Sequence, residues 1–189
     1  MAPETAEPMQ LLGINHLALV CRDMDRTVAF YRDVLGLALT KTIELPDGLG
    51  THFFFDIGNG DSLAFFWFPG APTASPGIAA PESLPGLGDA RSAVGSMNHV
   101  AFDVSDGLLD GYARRLRKAG VEMLGPVNHD DSEQGWSLEM HDGVFMRSVY
   151  FFDPDGICLE LASWIRRPEG SSGPGRTVTA PAVVPAAGA

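Results

Sequence analysis

An internal repeat constrains the fold of this chain more than any other feature of its sequence. Residues 14–20 read INHLALV and residues 97–104 read MNHVAFDV, so each copy has an apolar residue, an Asn-His pair and then alternating apolar residues. An alternation with a period of two is typical of a β-strand with one buried face. A repeat of this kind predicts two structural modules that are built alike.

Each strand pattern leads into a helix pattern. Apolar residues recur at intervals of four, three and four in the first copy and of four, four and three in the second, which is the spacing of a helix with one buried face. Gly36 and Gly120 stand where the C-caps of these helices are expected. The periodic residues are Met24, Val28, Tyr31 and Leu35 in the first helix and Leu108, Tyr112, Leu116 and Ala119 in the second.

Three extended segments follow each helix, and residues that favour turns separate them. Each copy therefore reads β-α-β-β-β, and the predicted fold class is α+β with two tandem βαβββ modules. The extended segments are 38–44, 51–57 and 62–68 in the first copy and 121–124, 145–152 and 157–162 in the second.

We predict a single domain with two modules and a terminal segment on each side. A Pro- and Gly-rich loop links the modules and is long for a linker, which suggests a lid or a rim. The polar stretch 128–142 reads as a second, irregular insertion. The C-terminal tail is almost entirely Pro, Gly, Ala, Ser, Thr and Val and is expected to be disordered; the alternative is an arm across a partner subunit in a homodimer. The predicted ranges are 1–10 for a flexible lead-in, 11–167 for the domain, 12–68 for module one, 69–95 for the loop, 96–165 for module two and 168–189 for the tail.

Charge and composition exclude several classes of partner. The chain has 24 acidic and 13 basic residues and a net charge of −11, so we expect no binding to nucleic acid. No apolar run approaches the roughly 20 residues that cross a bilayer, and the first ten residues do not resemble a signal peptide. Two cysteines without CxxC spacing indicate reduced thiols. These features predict a cytoplasmic protein without a membrane partner.

Two histidines and one glutamate are the candidate metal ligands. His16 and His99 stand at equivalent places in the repeat, and Glu160 lies in an otherwise apolar strand. A single strand histidine is more often a core or surface residue than a ligand. A repeated pair together with a carboxylate that is costly to bury favours a metal instead. Such a donor set suits Fe(II), Mn(II), Zn(II) or Ni(II) and leaves coordination positions for substrate.

The paired Asn-His strands and the closing run YFFDPDGICLE, which ends at Glu160, resemble the vicinal-oxygen-chelate superfamily. That group includes glyoxalase I, methylmalonyl-CoA epimerase, fosfomycin-resistance and bleomycin-binding proteins and extradiol ring-cleavage dioxygenases. The resemblance covers residues 12–165 approximately. It implies that the two modules form a curved, cup-shaped mixed sheet around a metal held by His16, His99 and Glu160.

The resemblance is less specific for the reaction. Glyoxalase I and the epimerase have a fourth ligand, Glu or Gln, in the last strand of the first module. Here that strand reads SLAFFWF, and Phe65 or Phe66 falls at the ligand position. Three ligands with an aromatic fourth wall resemble the extradiol dioxygenases. Bleomycin-binding members generally lack the metal ligands, so the metal set counts against simple drug sequestration.

Three further residues are candidates for catalysis. Tyr150, ten residues before Glu160, matches a tyrosine that contacts substrate oxygen in extradiol enzymes and is also met in fosfomycin-resistance proteins. His141 matches a histidine near the active site of some extradiol enzymes. The usual acid–base histidine before the second-module ligand is missing, so His141 or His52 is left to transfer protons. His52 reads equally well as an exposed strand residue, and His129 reads as part of an acidic loop.

We therefore expect a metal-dependent enzyme of the extradiol dioxygenase type, which uses Fe(II) or Mn(II) on a small catechol-like molecule. One alternative is a redox-neutral lyase, isomerase or thiol transferase with Zn(II), Ni(II) or Mn(II). Another is a ligand-binding or antibiotic-resistance protein without turnover. The phenylalanines of segments 53–55 and 65–68 suggest a planar, apolar substrate, or else a well-filled sheet face. No organic cofactor is expected.

Overall fold

The computed structural model describes residues 13–167, which form two compact units. The first unit contains the described residues up to Glu82 together with Arg91–Asn98 and Phe152–Ile157. The second unit contains Ser83–Ala90, His99–Phe151 and the described residues from Cys158 onwards. Each unit has its own mixed β-sheet, so the predicted α+β class is confirmed. The predicted lead-in 1–10 and tail 168–189 lie outside the described residues.

The first unit has four strands in the order β1-β4-β3-β2. Strand β1 is parallel to β4, whereas β3 is antiparallel to both β4 and β2. The chain thus passes from β1 through a helix to β2 and returns along two antiparallel strands, as predicted. The elements are β1 (His16–Cys21), α1 (Met24–Val28), β2 (Leu39–Glu44), β3 (Thr51–Asp56) and β4 (Ser62–Trp67).

The second unit repeats this plan and adds one short strand, in the order β5-β9-β8-β6-β7. Strand β5 is parallel to β9, and β6 is antiparallel to both β8 and β7. The predicted βαβββ module is therefore present in both units. The elements are β5 (Val100–Asp103), α2 (Asp106–Lys118), β6 (Met123–Asp130), β7 (Trp136–Ser137), β8 (Val144–Phe152) and β9 (Cys158–Trp164).

Asp23 caps the start of α1, and its carboxylate accepts a hydrogen bond from the backbone N–H of Arg26. Such a cap satisfies one of the free N–H groups at a helix start. The helix then widens into a π-helical turn at Ala29–Val34, which the sequence did not predict. The turn keeps Phe30 and Tyr31 buried on the sheet side, and its hydrogen bonds skip one residue more than those of an α-helix.

The buried face of α2 differs in part from its prediction. Leu109, Ala113 and Leu116 are buried, at intervals of four and three, whereas the predicted Ala119 is exposed. The periodicity was correct, but the apolar stripe lies about one position away because Leu108 and Leu109 are both apolar and only packing selects between them.

The irregular insertion predicted at 128–142 is wrong in part. Strand β6 continues as far as Asp130, and Trp136–Ser137 forms β7 against it. The side chains of this stretch are polar and show no strand pattern, but the backbone of β6 pairs with β7 and β8 and so forms a strand. By contrast, the described loop 69–95 contains no helix or strand and only an isolated bridge between Pro76 and Ala80.

The two faces of the first sheet have different roles. Phe53, Phe55 and Phe65 lie on the helix side and are fully buried. The rings of Phe55 and Phe65 contact the ring of Tyr31, and Phe53 contacts both of these phenylalanines. The opposite face carries the residues that alternate with these, and among them is the pair His52 and Phe66, which are in register across β3 and β4. Much of this second face is only half-buried.

Candidate functional site

Glu160 is a buried carboxylate of the second unit, with an exposure of 2%. It lies in the middle of β9 and is in register with Ala101 of the parallel strand β5, two residues after His99. Its Oε2 atom lies 3.0 Å from Nε2 of His99, and its Oε1 atom accepts a hydrogen bond from the hydroxyl of Ser148 on β8. The sequence predicted His99 and Glu160 as two of three metal ligands, which stays a prediction, and it gave no indication of Ser148.

The partners of Glu160 determine its charge. Burial alone raises the pKa of this carboxyl, but hydrogen bonds from His99, Ser148 and Tyr150 outweigh burial and hold the pKa below its usual value. The hydrogen bond to Glu160 in turn raises the pKa of His99. The pair is therefore an ionised carboxylate beside an imidazole, and a cation that replaced the imidazole proton would find both donor atoms facing one point.

Tyr150 lies on β8, close to this pair. Its ring meets the ring of His99 edge to face, with centroids 6.0 Å apart, and its hydroxyl is 3.2 Å from Nε2 of His129. Burial, with the negative charge of Glu160, raises the pKa of the Tyr150 hydroxyl, so the phenol is neutral in ordinary buffers. Sequence reasoning gave His129 no role because it placed this histidine in a loop; the continuation of β6 brings it to Tyr150.

His141 lies elsewhere in the second unit. Its Nε2 atom is 2.9 Å from Asp130, and its Nδ1 atom accepts a hydrogen bond from the backbone N–H of Gly143 at 3.1 Å. Both ring nitrogens therefore already have partners. The ring of His141 thereby links the segment after β7 to Asp130, the last residue of β6. It is not hydrogen-bonded to Tyr150.

His16 and His52 lie in the first unit. The Nδ1 atom of His16 is 2.8 Å from Oδ1 of Asn15, and that of His52 is 2.9 Å from the carbonyl oxygen of Phe65. An amide or carbonyl oxygen can only accept, so each Nδ1 is the protonated nitrogen and each Nε2 is the basic one. The repeated Asn-His pair thus has a physical function in the first copy, because the asparagine fixes the histidine tautomer.

The last strand of the first module carries no carboxylate or amide. Phe65 is fully buried on the helix side, and Phe66 lies on the other face, where it stacks on His52 with centroids 3.7 Å apart and planes 4° apart. His16 is in register with Ser62 at the start of the same strand. Of the two phenylalanines that the sequence left open, Phe66 is the one on the histidine face.

Comparison with known proteins identifies the family. The model of the Glyoxalase/Bleomycin resistance protein/Dioxygenase superfamily matches residues 13–161. The chain belongs to this superfamily.

Individual relatives of the chain differ in function. A putative ring-cleaving dioxygenase of Bacillus subtilis (strain 168) is 30% identical over 82% of this chain, but the match spans only 48% of that protein. A metallothiol transferase of Shouchella clausii (strain KSM-K16) is 29% identical over 79% of this chain and 78% of its own length. The crystal structure of a glyoxalase/dioxygenase from Nostoc punctiforme is 23% identical and covers 87% of this chain and 99% of its own, with a TM-score of 0.60.

Members of this superfamily share several general properties. Members are mostly metalloenzymes that bind divalent metals, act on small molecules and commonly form dimers. Among residues 13–167, no helix is both long and apolar enough to cross a membrane. Nothing in the comparisons indicates a nucleic acid partner.

The candidate ligand atoms of this chain suit the divalent metals that superfamily members bind. His99 and Glu160 direct a nitrogen and a carboxylate oxygen at each other, and Asn15 leaves the basic Nε2 of His16 available. Within the described part of the chain, no three His, Cys, Asp or Glu side chains are grouped as a metal site. His16 belongs to the first unit, so its place in the ligand set stays a prediction.

Proposed function

We propose that the protein is a metal-dependent enzyme of the extradiol dioxygenase type that acts on a small molecule with two adjacent oxygens. The observation that carries this proposal is an aromatic pair, Phe66 on β4 and His52 on β3, on one face of the first sheet. Phe66 stacks on His52 there, and β4 itself carries no carboxylate or amide that could be a fourth ligand. A site with three protein ligands keeps more positions for substrate and dioxygen than a site with four.

His16, His99 and Glu160 would hold the metal. Bound there, Fe(II) or Mn(II) would supply Lewis-acid chemistry and a template that orients two substrate oxygens. Zn(II) or Ni(II) would suit the same ligands.

Four further side chains would orient a metal ligand, bind the substrate or transfer protons. Ser148 donates a hydrogen bond to one oxygen of Glu160, which favours the orientation of the carboxylate towards His99. Tyr150 is a neutral phenol beside His99 and can hydrogen-bond a substrate oxygen. His141 and His52 remain candidates for proton transfer; the partners of His141 favour a role in holding its segment, whereas His52 keeps a basic Nε2.

The aromatic face of the first unit supports a planar and apolar substrate. His52, Phe54 and Phe66 are half-buried neighbours on this face, and Phe68 stacks on Phe66 with centroids 5.2 Å apart. Aromatic rings favour flat ligands that offset-stack or meet them edge to face. The ring-cleaving relative, at 30% identity, is consistent with this substrate class.

A second candidate is a redox-neutral reaction of the glyoxalase or thiol transferase kind. The observation in its favour is length, because the metallothiol transferase matches over 78% of its own chain and the dioxygenase over only 48%. The same ligands with Zn(II), Ni(II) or Mn(II) would then bind an enediolate or a phosphonate.

Metal content and oxygen uptake test these proposals together. Protein loaded with Fe(II) without air should consume oxygen with one member of a panel of catechols. Turnover of a methylglyoxal–thiol adduct or a phosphonate without oxygen would replace the first candidate by the second. Tight ligand binding with no product in any of these assays would reduce the protein to a binding or resistance function.

Three variants test the ligand set. His16→Ala, His99→Ala and Glu160→Ala should each lose most of the bound metal, since three ligands are few for a tight site. The exposed Glu139→Gln is the matched control and should bind metal like the wild type. A variant of the three that retains one metal per chain would remove its residue from the set.

A further inference from the structure

His52 offers a hydrogen-bond acceptor on the aromatic face of the first unit. Its Nδ1 atom lies 2.9 Å from the carbonyl oxygen of Phe65. A carbonyl can only accept, so Nδ1 carries the proton of the neutral ring and Nε2 is the acceptor. Within residues 13–167, no group is hydrogen-bonded to Nε2. Because the protonated Nδ1 faces the backbone of β4, Nε2 points away from that backbone.

The neighbours of His52 hold its ring in one orientation. The ring stacks on Phe66 with centroids 3.7 Å apart and planes 4° apart, and the ring of Phe54 meets it at 62° with centroids 4.2 Å apart. The hydrogen bond to Phe65 fixes the direction of the ring within its plane. An acceptor that is held in place before binding loses little conformational entropy when a ligand binds. Nε2 is therefore a preorganised acceptor among aromatic side chains.

Phe54 lies between His52 and the predicted metal ligand His16. All three share one face of the sheet, because Ser62 of β4 is in register with His16 and Phe66, four residues further on, is in register with His52. The centroid of Phe54 is 5.9 Å from that of His16 and 4.2 Å from that of His52, so the two imidazole centroids are at most about 10 Å apart. This distance suits a small ligand that binds the metal at one end and reaches His52 at the other.

We propose that His52 is a specificity-determining residue that accepts a hydrogen bond from an O–H or N–H group of the substrate, on the side of the substrate ring away from the metal. This inference rests on the proposed function and deepens it. It narrows the substrate class to flat rings with two chelating oxygens and a third group that donates a hydrogen bond. Phe54 and Phe66 offer apolar surface to the ring. Neither can hydrogen-bond the third group, so His52 makes that distinction.

The tautomer of His52 tests the first step without metal or turnover. In metal-free protein with ¹⁵N-labelled histidine, at about pH 8, the NMR shifts of His52 should show a protonated Nδ1 and an unprotonated Nε2. The spectrum of His52→Phe lacks these signals and so assigns them. A ring protonated at Nε2 would be a donor at that atom and would overturn the proposal.

Two ligands that differ in one group test the specificity. Hydroxyquinol carries a third hydroxyl at the ring position where 4-methylcatechol carries a methyl group. The Mn(II)-loaded protein without air should bind hydroxyquinol about tenfold more tightly, which corresponds to one hydrogen bond of about 1.4 kcal/mol. His52→Phe keeps an aromatic ring for the stack and should bind both ligands with the wild-type affinity for 4-methylcatechol.

Two further variants serve as controls in the same titrations. His52→Gln offers a carbonyl oxygen in place of Nε2 and should keep a preference for hydroxyquinol of at least about threefold. Thr42→Val changes an exposed residue of β2 that is in register with Phe53 and therefore lies on the other face of the sheet. It should keep the full preference of the wild type.

The outcomes separate this proposal from the proposed function. Equal affinity of the wild type for the two ligands, or a preference that His52→Phe retains, would overturn the role of His52 and leave the proposed function standing. Equal weakening of both ligands in His52→Phe would make His52 a packing residue and would also overturn that role. If the wild type binds neither ligand, the proposed function fails together with this inference.

Discussion

Asp153 lies in the turn before β9 and is a carboxyl group that the fold holds out of water. It is 5% exposed, its Oδ1 atom accepts backbone hydrogen bonds from Asp155 and Ile157, and its Oδ2 atom accepts one from the fully buried hydroxyl of Tyr31 at 3.0 Å. Burial outweighs these three donors and raises the pKa of Asp153 from 3.8 to about 6. We therefore predict that Asp153 makes the stability of the protein depend on pH.

The sign of the effect follows from the two pKa values. Between pH 4 and pH 6 the folded state holds the Asp153 proton, while the unfolded chain has released it. Stability from this group is therefore complete below about pH 4 and is lost as the pH rises through 6. A difference of about two pKa units corresponds to about 3 kcal/mol of unfolding free energy.

Asp153→Asn tests this linkage, since asparagine cannot ionise but keeps a carbonyl oxygen for the two backbone donors. Urea unfolding of metal-free protein, measured at several pH values from about 4 to 7.5, gives the free energy of each variant. As the pH falls, the wild type should gain about 2–3 kcal/mol relative to Asp153→Asn, because titration of the other carboxyls cancels in the difference. The exposed Asp131→Asn should run parallel to the wild type. A constant difference between the wild type and Asp153→Asn across this range would refute the reasoning.

Three further predictions concern the core and the site. Leu109→Ala, at a fully buried position of α2, should lower the free energy of unfolding by about 2–5 kcal/mol in urea titrations; a loss below about 1 kcal/mol would mean that the helix packs elsewhere. Ser148→Ala should weaken metal affinity about ten- to hundredfold in competition with a chelator, because Glu160 loses a hydrogen bond that orients it, and unchanged affinity would count against Glu160 as a ligand. Tyr150→Phe and His141→Ala should lower turnover by about ten- to ten-thousandfold at unchanged metal content; wild-type rates in both would leave His52 as the remaining histidine of the predicted proton-transfer set.

The sequence by itself determined the repeated module and the strand faces on which His99 and Glu160 lie. Both follow from alternation along a strand, which is a local property: a period of two fixes which residues share a face before any packing is known. The same alternation placed His52 and Phe54 on one face of β3. Because the two copies are alike, the order of strands and helix predicted for one module also applied to the other.

Only the tertiary structure decided which neighbouring side chains meet. His129 reaches Tyr150 because β6 continues through a polar stretch, and Phe66, not Phe65, shares the face of His52 because the register of β3 and β4 sets the faces. Tyr31 meets Asp153 across 122 residues of sequence. Contacts of this kind depend on strand register and on packing between distant segments, and a local pattern contains neither, since a shift by one residue exchanges the two faces of a strand.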